Sequence, residues 1–366
     1  MAVYDELGIR PFINAWRPLT RLGGAVLPEP VAAAMQEASR GTVDLRALQR
    51  LVGAAIAAMT GNEAVYVSSG AAAGITLAIA ACMAGTNPLA ASRLPDTRGL
   101  RNRVIMHRCE RGYKSDVAIA NAGAVIVDIG DADGATEVDL IAAIDANTAA
   151  IFVHDAALGG HIPLSRVIPV ARAFKLPVIV DAAFSVPPVE TLWRFSREMG
   201  ADAVVVSGGK GLRGPQSTGL VLGRHWIIEG CVFHGAPNDR IGRGMKVGKE
   251  ELAGVYAAVK LALARPDAEY RGQVHAMMDA ILEHIRGLPG VAPRGIGGPR
   301  VALAIDPTRY NLTPTYARGW LLRETPSVYV EPVADGIAIS TECMDQADAR
   351  IVGERLRALF LAHLRA

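Results

Sequence analysis

Three short stretches of this chain hold residues whose types and positions could do chemistry. In Val204-Val205-Val206-Ser207-Gly208-Gly209-Lys210 a β-branched run ends in Ser-Gly-Gly, and a lysine follows at once. The apolar run reads as a buried strand, so Lys210 stands where that strand opens into a turn. Beside low-dielectric surroundings a lysine loses proton affinity, and its free amine becomes a nucleophile able to condense with a carbonyl. In Val178-Ile179-Val180-Asp181 a second strand pattern ends in a carboxylate. In Val65-Tyr66-Val67-Ser68-Ser69-Gly70-Ala71 a third ends in small residues and runs into a helix-like segment. The first turn of such a helix offers free N–H groups and partial positive charge, which suits a phosphate. Taken alone, each stretch also has an ordinary reading: a solvated loop lysine, a strand-end acid, a capped helix.

The surrounding pattern must place all three together. Strand-like runs at 63–67, 103–106, 124–128, 149–153, 178–181, 203–206 and 219–223 alternate with helix-like runs at 71–84, 116–122, 138–145, 168–175 and 191–199. Two further helices precede them, at 28–40 and at 44–60, the second with Asp44 as N-cap. The stretch 87–102 reads as a loop. Such alternation predicts an α/β fold with a mostly parallel sheet flanked by helices. In such sheets ligands bind beyond the carboxyl ends of the strands, and the serine-rich turn, Asp181 and Lys210 all fall at such ends. From about residue 225 the pattern changes to helices at 249–264, 270–286 and 345–364 with short strands at 300–305, 327–330 and 336–340. The expected organisation is an N-terminal arm (1–25), a large α/β domain (26–240) and a smaller C-terminal α+β domain (241–366).

Composition narrows the function. The chain has 366 residues, just over half of them apolar, and a net charge of +2. That balance argues against a nucleic-acid or membrane partner. The one basic group, Arg98, Arg101, Arg103, Arg108 and Arg111, lacks interleaved aromatics and reads as a solvated or interface face. Cys82, Cys109, Cys231 and Cys343 have neither zinc-ligand nor disulfide-scaffold spacing, and the N-terminus lacks the features of a secretion signal, so a cytoplasmic location is expected. Asp5, His154, Asp155 and His161 form no compact ligand set, so no metal is expected. A dinucleotide site is also excluded, because Ser68-Ser69-Gly70-Ala71-Ala72-Ala73-Gly74 is not a G-x-G-x-x-G turn.

A phosphate turn, an acid and a lysine, in that order and each ending a strand, resemble the fold-type I enzymes that use pyridoxal 5′-phosphate (PLP). Ser207-Gly208-Gly209-Lys210 followed by Gly214-Pro215-Gln216, with Arg93-Leu94-Pro95-Asp96-Thr97 and Met245-Lys246-Val247-Gly248-Lys249-Glu250-Glu251, is most similar to one branch. That branch is related to bacterial selenocysteine synthase and D-glucosaminate-6-phosphate ammonia-lyase. The resemblance implies that Lys210 forms a Schiff base with the cofactor and that Asp181 pairs with the pyridine nitrogen. It implies that Ser68, Ser69, Gly70, Ala71 and Ser207 hold the phosphate. It points to Tyr113, with His107 and Glu110 nearby, for the ring face, and to Gly244 and Lys246 as residues reaching the site from a neighbouring subunit. Two features depart from the branch. Trp16-Arg17-Pro18 stands where Gly-Thr is common, and Arg108-Cys109-Glu110-Arg111 stands where a histidine is often found. Arg17 and Arg300 are candidates to bind a substrate carboxylate, since arginine pairs with one bidentately.

The function expected from the resemblance is that of a lyase, a homodimer or larger, acting on a small amino acid or amino sugar acid. Proton abstraction at Cα and β-elimination would release a keto acid and ammonia. Racemisation or transamination would use the same lysine and acid. Selenium transfer on an aminoacyl-tRNA and a non-enzymatic binding role fit the sequence less well.

Overall fold

In the computed structural model, residues 2–112, 114–155 and 162–365 are described. The chain forms two compact units, Leu27–Ala264 and the combination of residues 2–26 with 265–365. The change of sequence pattern from about residue 225 and the boundary expected at 240 both fall inside the larger unit, whose last element is the helix Lys249–Ala264, packed on the helix Glu29–Ser39.

The larger unit is built on a seven-stranded sheet, in the order Ala64–Ser68, Gly219–Gly223, Ala203–Ser207, Val178–Asp181, Thr148–His154, Arg103–His107, Val125–Ile129. Gly219–Gly223 runs antiparallel to both its neighbours, and every other pairing is parallel. The expected mostly parallel α/β sheet is therefore present. Apart from the edge strand Val125–Ile129, its strands are buried on both faces, which is why they read as near-continuous apolar runs. Successive side chains alternate between two cores. Val65, Val67, Val204 and Val206 pack with Ile56, Leu252 and Val255 on one face. Tyr66, Val205, Val221 and Phe152 pack with Leu77, Ile79 and Ile228 on the other.

The smaller unit has a four-stranded antiparallel sheet, in the order Glu331–Val333, Gly336–Ser340, Arg300–Ile305, Val291–Gly295. The helices Asp267–Ile285, Pro314–Arg323 and Gln346–His363 share its core of Met278, Ile281, Leu303, Tyr310, Leu321, Ile337, Leu356 and Phe360. The N-terminal arm belongs to this unit: Ile13–Asn14 pairs in parallel with Val328–Tyr329, and the Ser340 N–H donates to the Ala15 carbonyl at 3.0 Å.

Local structure departs from expectation in a few places. The stretch at 191–199 is a 3₁₀ turn, Val189–Leu192, followed by a π-helical turn, Arg194–Glu198, because Trp193 between them has φ −141°, outside the helical range. The stretch 87–102 contains a helix, Pro88–Arg93, whose Asn87 cap accepts from the N–H groups of Leu89 and Ala90. The surface arginines are largely paired: Arg98 with Asp96 at 2.7 Å, Arg103 with Asp145, Arg108 with Asp128 at 3.8 Å and Arg111 with Asp116 at 2.9 Å. No helix among the described residues is long and apolar enough to cross a membrane.

The helix Leu45–Thr60 lies against the strand Ala64–Ser68, and its Asp44 side chain accepts from the N–H groups of Arg46 and Ala47. Replacing Asp44 with alanine should cost about 1 kcal/mol and lower the midpoint of a urea denaturation curve, while asparagine should leave it nearly unchanged. Equal midpoints for wild type and Asp44→Ala would show that the cap contributes nothing.

Candidate active site

Six strands end on one edge of the large sheet, at Ser68, His107, Ile129, His154, Asp181 and Ser207, and the antiparallel strand begins there at Gly219. The pairing register aligns them: Ser68 and Ser207 each face Gly219, and His154 faces Asp181. Sheet geometry therefore gathers residues that lie far apart in the chain.

The Ser68 turn is closed by its own hydroxyl, which donates to the Gly70 carbonyl at 2.9 Å. Gly70 has φ 99° and ψ 162°, a backbone open to glycine, and it precedes the helix Ala71–Ala84 with no side-chain cap. The first N–H groups of that helix therefore lack the usual side-chain acceptor. Gly219 lets the neighbouring strand approach: a Cβ there would lie 2.6 Å from the Gly70 carbonyl carbon and 2.7 Å from the Ala71 nitrogen. Ser69, Gly70 and Ala71 are partly exposed, so a small anion can reach this turn.

The lysine loop folds back on its own strand. The Gly208 N–H donates to the Thr218 carbonyl and the Gly214 N–H to the Gly208 carbonyl, each at 2.8 Å. There is no room for a side chain beside the lysine. A Cβ would lie 2.3 Å from the Gln216 Cα at Gly209, and 1.9 Å from the Val186 carbonyl oxygen at Gly211. Arg213, held at φ 56°, turns the chain back, and its N–H donates to the Lys210 carbonyl at 2.8 Å. Lys210 is partly exposed, and its Nζ stands 3.0 Å from the centroid of the Phe184 ring, a cation–π contact.

Asp181 is 7% exposed. One carboxylate oxygen accepts from the Ala183 N–H at 2.9 Å, and the other lies 3.5 Å from His154 Nε2. Burial pushes its pKa above the ordinary carboxylate value; His154, the Ala183 N–H and Lys210 oppose that rise, and Glu110 adds to it. His154 Nε2 is also 3.0 Å from the Ser115 hydroxyl. Behind this group Glu110 is fully buried, accepting from the His154 backbone N–H at 3.0 Å.

The geometry brings Lys210 within electrostatic reach of Asp181, with Ser68, Ser69, Gly70, Ala71 and Ser207 on the same edge. His107 is 1% exposed, and its Nε2 accepts from the Ile162 N–H at 3.2 Å, so its ring presents no open face. Tyr113 and His161 lie outside the described residues. Gly244 and Lys246 are exposed ahead of the helix Lys249–Ala264. Arg17 and Arg300 form one cluster with Glu342 in the smaller unit. Burial and the charge of Arg300 pull the Arg17 guanidinium down, and Glu342 holds it up. Sequence reasoning missed Phe184, although an aromatic three residues past a strand-end acid was a signal. It also missed the contact of His154 with Asp181. Among the described residues no group of three or more His, Cys, Asp or Glu side chains is placed to hold a metal.

A pH prediction follows from Asp181. An acid whose pKa is raised by folding binds its proton more tightly in the folded state. The cost of its ionisation is absent below the ordinary value of about 3.9, grows as pH rises towards the folded pKa, and is full above it. Asp181→Asn should therefore raise the melting temperature of the ligand-free protein at neutral pH, and the gain should shrink as the pH approaches about 4. Thermal melts of both proteins across that range test this; a gain independent of pH would contradict it.

No family model matches the chain. It is 30% identical to the 5′-C-glycyluridine monooxygenase-decarboxylase of a Streptomyces species over 98% of this chain and 92% of that protein. It is 33% identical to the D-glucosaminate-6-phosphate ammonia-lyase of Salmonella typhimurium (strain 14028s / SGSC 2262) over 75% of this chain and 76% of that protein. A solved structure of D-glucosaminate-6-phosphate ammonia-lyase superposes with a TM-score of 0.85 at 26% identity, covering 98% of each chain. With the lysine, the acid and the serine-rich turn on one sheet edge, these likenesses establish that the chain is an enzyme of the fold-type I PLP-dependent family, in the branch of D-glucosaminate-6-phosphate ammonia-lyase.

Proposed function

We propose that the chain binds PLP and acts as a lyase on a small amino acid or amino sugar acid. In this reading it removes a proton from the carbon bearing the amine and expels a β-substituent with that proton, and water then hydrolyses the enamine product to a keto acid and ammonia. The observation that carries the reading is the shared sheet edge of Lys210, Asp181 and an uncapped helix N-terminus.

The residues fit the cofactor. Its phosphate matches the Ser69-Gly70-Ala71 turn and the first N–H groups of the following helix, with Ser68 shaping the turn and the Ser207 hydroxyl alongside. Its ring nitrogen, protonated, matches Asp181, a buried carboxylate in electrostatic reach of Lys210. Its aldehyde matches the Lys210 amine, at the partly exposed end of the lysine loop. When bound, the cofactor supplies a ring that withdraws electrons from the carbon bearing the substrate amine.

The protein's own groups do the rest. Asp181 carries the negative charge that keeps a proton on a facing ring nitrogen, and His154 and the Ala183 N–H hold that carboxylate in place. Lys210 Nζ is the base that takes the substrate proton and can hand it to the departing group. The Phe184 ring shields one side of that amine from water. Arg17 and Arg300 bind an anionic group of the substrate. The same reading makes the protein a cytoplasmic homodimer or larger, with Gly244 and Lys246 serving the partner's site. A second reading is oxygen-dependent decarboxylation of an amino acid; the likeness to the monooxygenase-decarboxylase along 98% of the chain favours it.

The test is the visible spectrum of the purified protein with added PLP, beside Lys210→Ala. A visible band, removed by borohydride and missing in the variant, is the expected result. Its absence in the wild type would sink the cofactor assignment. With the band in hand, amine substrates that yield ammonia and a keto acid without consuming oxygen support the lyase. Oxygen uptake with release of carbon dioxide would replace it with the second reading.

A further inference from the structure

We propose that Glu110 is a positioning residue of the cofactor site, which fixes His154 and, through it, the placement and charge of Asp181. The inference rests on the reading of Asp181 as the partner of a cofactor nitrogen. Glu110 follows the strand Arg103–His107 in a short 3₁₀ turn, Arg108–Glu110, and is fully buried. A buried carboxylate is costly unless its surroundings engage it, and the neighbours here do so. Oε1 accepts the His154 backbone N–H at 3.0 Å and lies 3.5 Å from His107 Nδ1.

The state of His107 follows from its other nitrogen. The Ile162 N–H donates to Nε2 at 3.2 Å, so Nε2 carries a lone pair, and the proton of the ring sits on Nδ1, facing Glu110. The carboxylate thus accepts one hydrogen bond, from the His154 backbone N–H, and has the His107 imidazole beside it.

The hold on His154 is what reaches the site. His154 ends its strand opposite Asp181 in register, and its Nε2 lies between the Ser115 hydroxyl at 3.0 Å and the Asp181 carboxylate at 3.5 Å. Anchoring the His154 backbone sets where that ring can stand. Around Asp181, Lys210 and His154 favour its ionisation and Glu110 opposes it, and Asp155, next to His154, is a further carboxyl in electrostatic contact with it. Glu110 therefore acts on Asp181 in two ways, by geometry and by charge. A glutamate that merely fills space in the fold would do neither.

The two roles separate in a double-mutant cycle read by PLP titration, with absorbance as the signal. The proteins are wild type, Glu110→Ala, Asp181→Asn and the double variant, with circular dichroism confirming that each is folded. Removing a charge-assisted hydrogen bond should weaken PLP binding about tenfold in the wild-type background. In the Asp181→Asn background the same change should cost less than about twofold, because interacting residues are non-additive. Equal losses in both backgrounds would overturn the proposal. Should Glu110→Ala fail to fold, Glu110→Gln decides: it keeps an acceptor for the His154 N–H and removes the charge. Its pH midpoint for the bound cofactor's visible band should move to lower pH than in wild type, and an unmoved midpoint would overturn the proposal. The wild-type titration comes first, because a wild type that binds no PLP would remove the cofactor reading and this inference together, whereas binding with an additive cycle removes this inference alone.

Discussion

The site is arranged around a buried carboxylate at a strand end. Asp181 ends a central strand and is almost wholly removed from water, a position that disfavours ionisation. Keeping a carboxylate there requires donors and positive charge at fixed places, and the sheet supplies them from both sides. On one side the paired strand brings His154 against it; on the other, the next strand leads through Ser207 to Lys210. The Ala183 N–H closes the remaining direction. Loss of strand register would break these contacts together, so the parallel ladder is part of the chemistry and not only a scaffold for it.

Close packing does the same for the lysine. The loop after Ser207 lies against the Pro215–Thr218 return and against Val186, with clearances that a methyl group would abolish at Gly209 and Gly211. Lys210 thereby departs from a backbone with little freedom of its own. Its side chain crosses the Phe184 ring, which restricts the amine further. A nucleophile held this way loses less entropy in reaching a fixed target than one on a free loop.

Much of this was legible in the sequence, for identifiable reasons. The strands of a sheet covered on both faces must be apolar throughout, so their ends are sharply marked, and Asp181, Lys210 and the Ser68 turn stand at those ends. What depends on which strands are neighbours was hidden. His154 reads as one polar residue at the end of an apolar run, and only the register places it on Asp181. Glu110 sits in Arg108-Cys109-Glu110-Arg111, which reads as a solvated turn; its burial follows from the strand beside it. The helix His225–His234 escaped notice because it is apolar nearly all round and shows no amphipathic period. The proximity of Arg17 and Arg300 required the arm strand Ile13–Asn14 to pair with Val328–Tyr329, a contact between the two ends of the chain.

The same division bears on what distinguishes this chain from its relatives. Two relatives whose names describe different reactions match most of its length, so the overall fold does not choose between those reactions. The choice must lie in groups that meet the substrate. Here the departures from the branch matter most. Arg17 stands where a smaller Gly-Thr pair is common, half-buried beside a second guanidinium and a single carboxylate, Glu342. Two positive charges and one negative leave a net positive charge, and partial desolvation strengthens its pull on an anion. An arginine fork also demands a planar or tetrahedral oxyanion at a defined angle, which a lysine would not. In the proposed reading, Arg17 and Arg300 are therefore the residues through which substrate choice would be tuned, while Asp181 and Lys210 carry the proton and charge chemistry common to the branch.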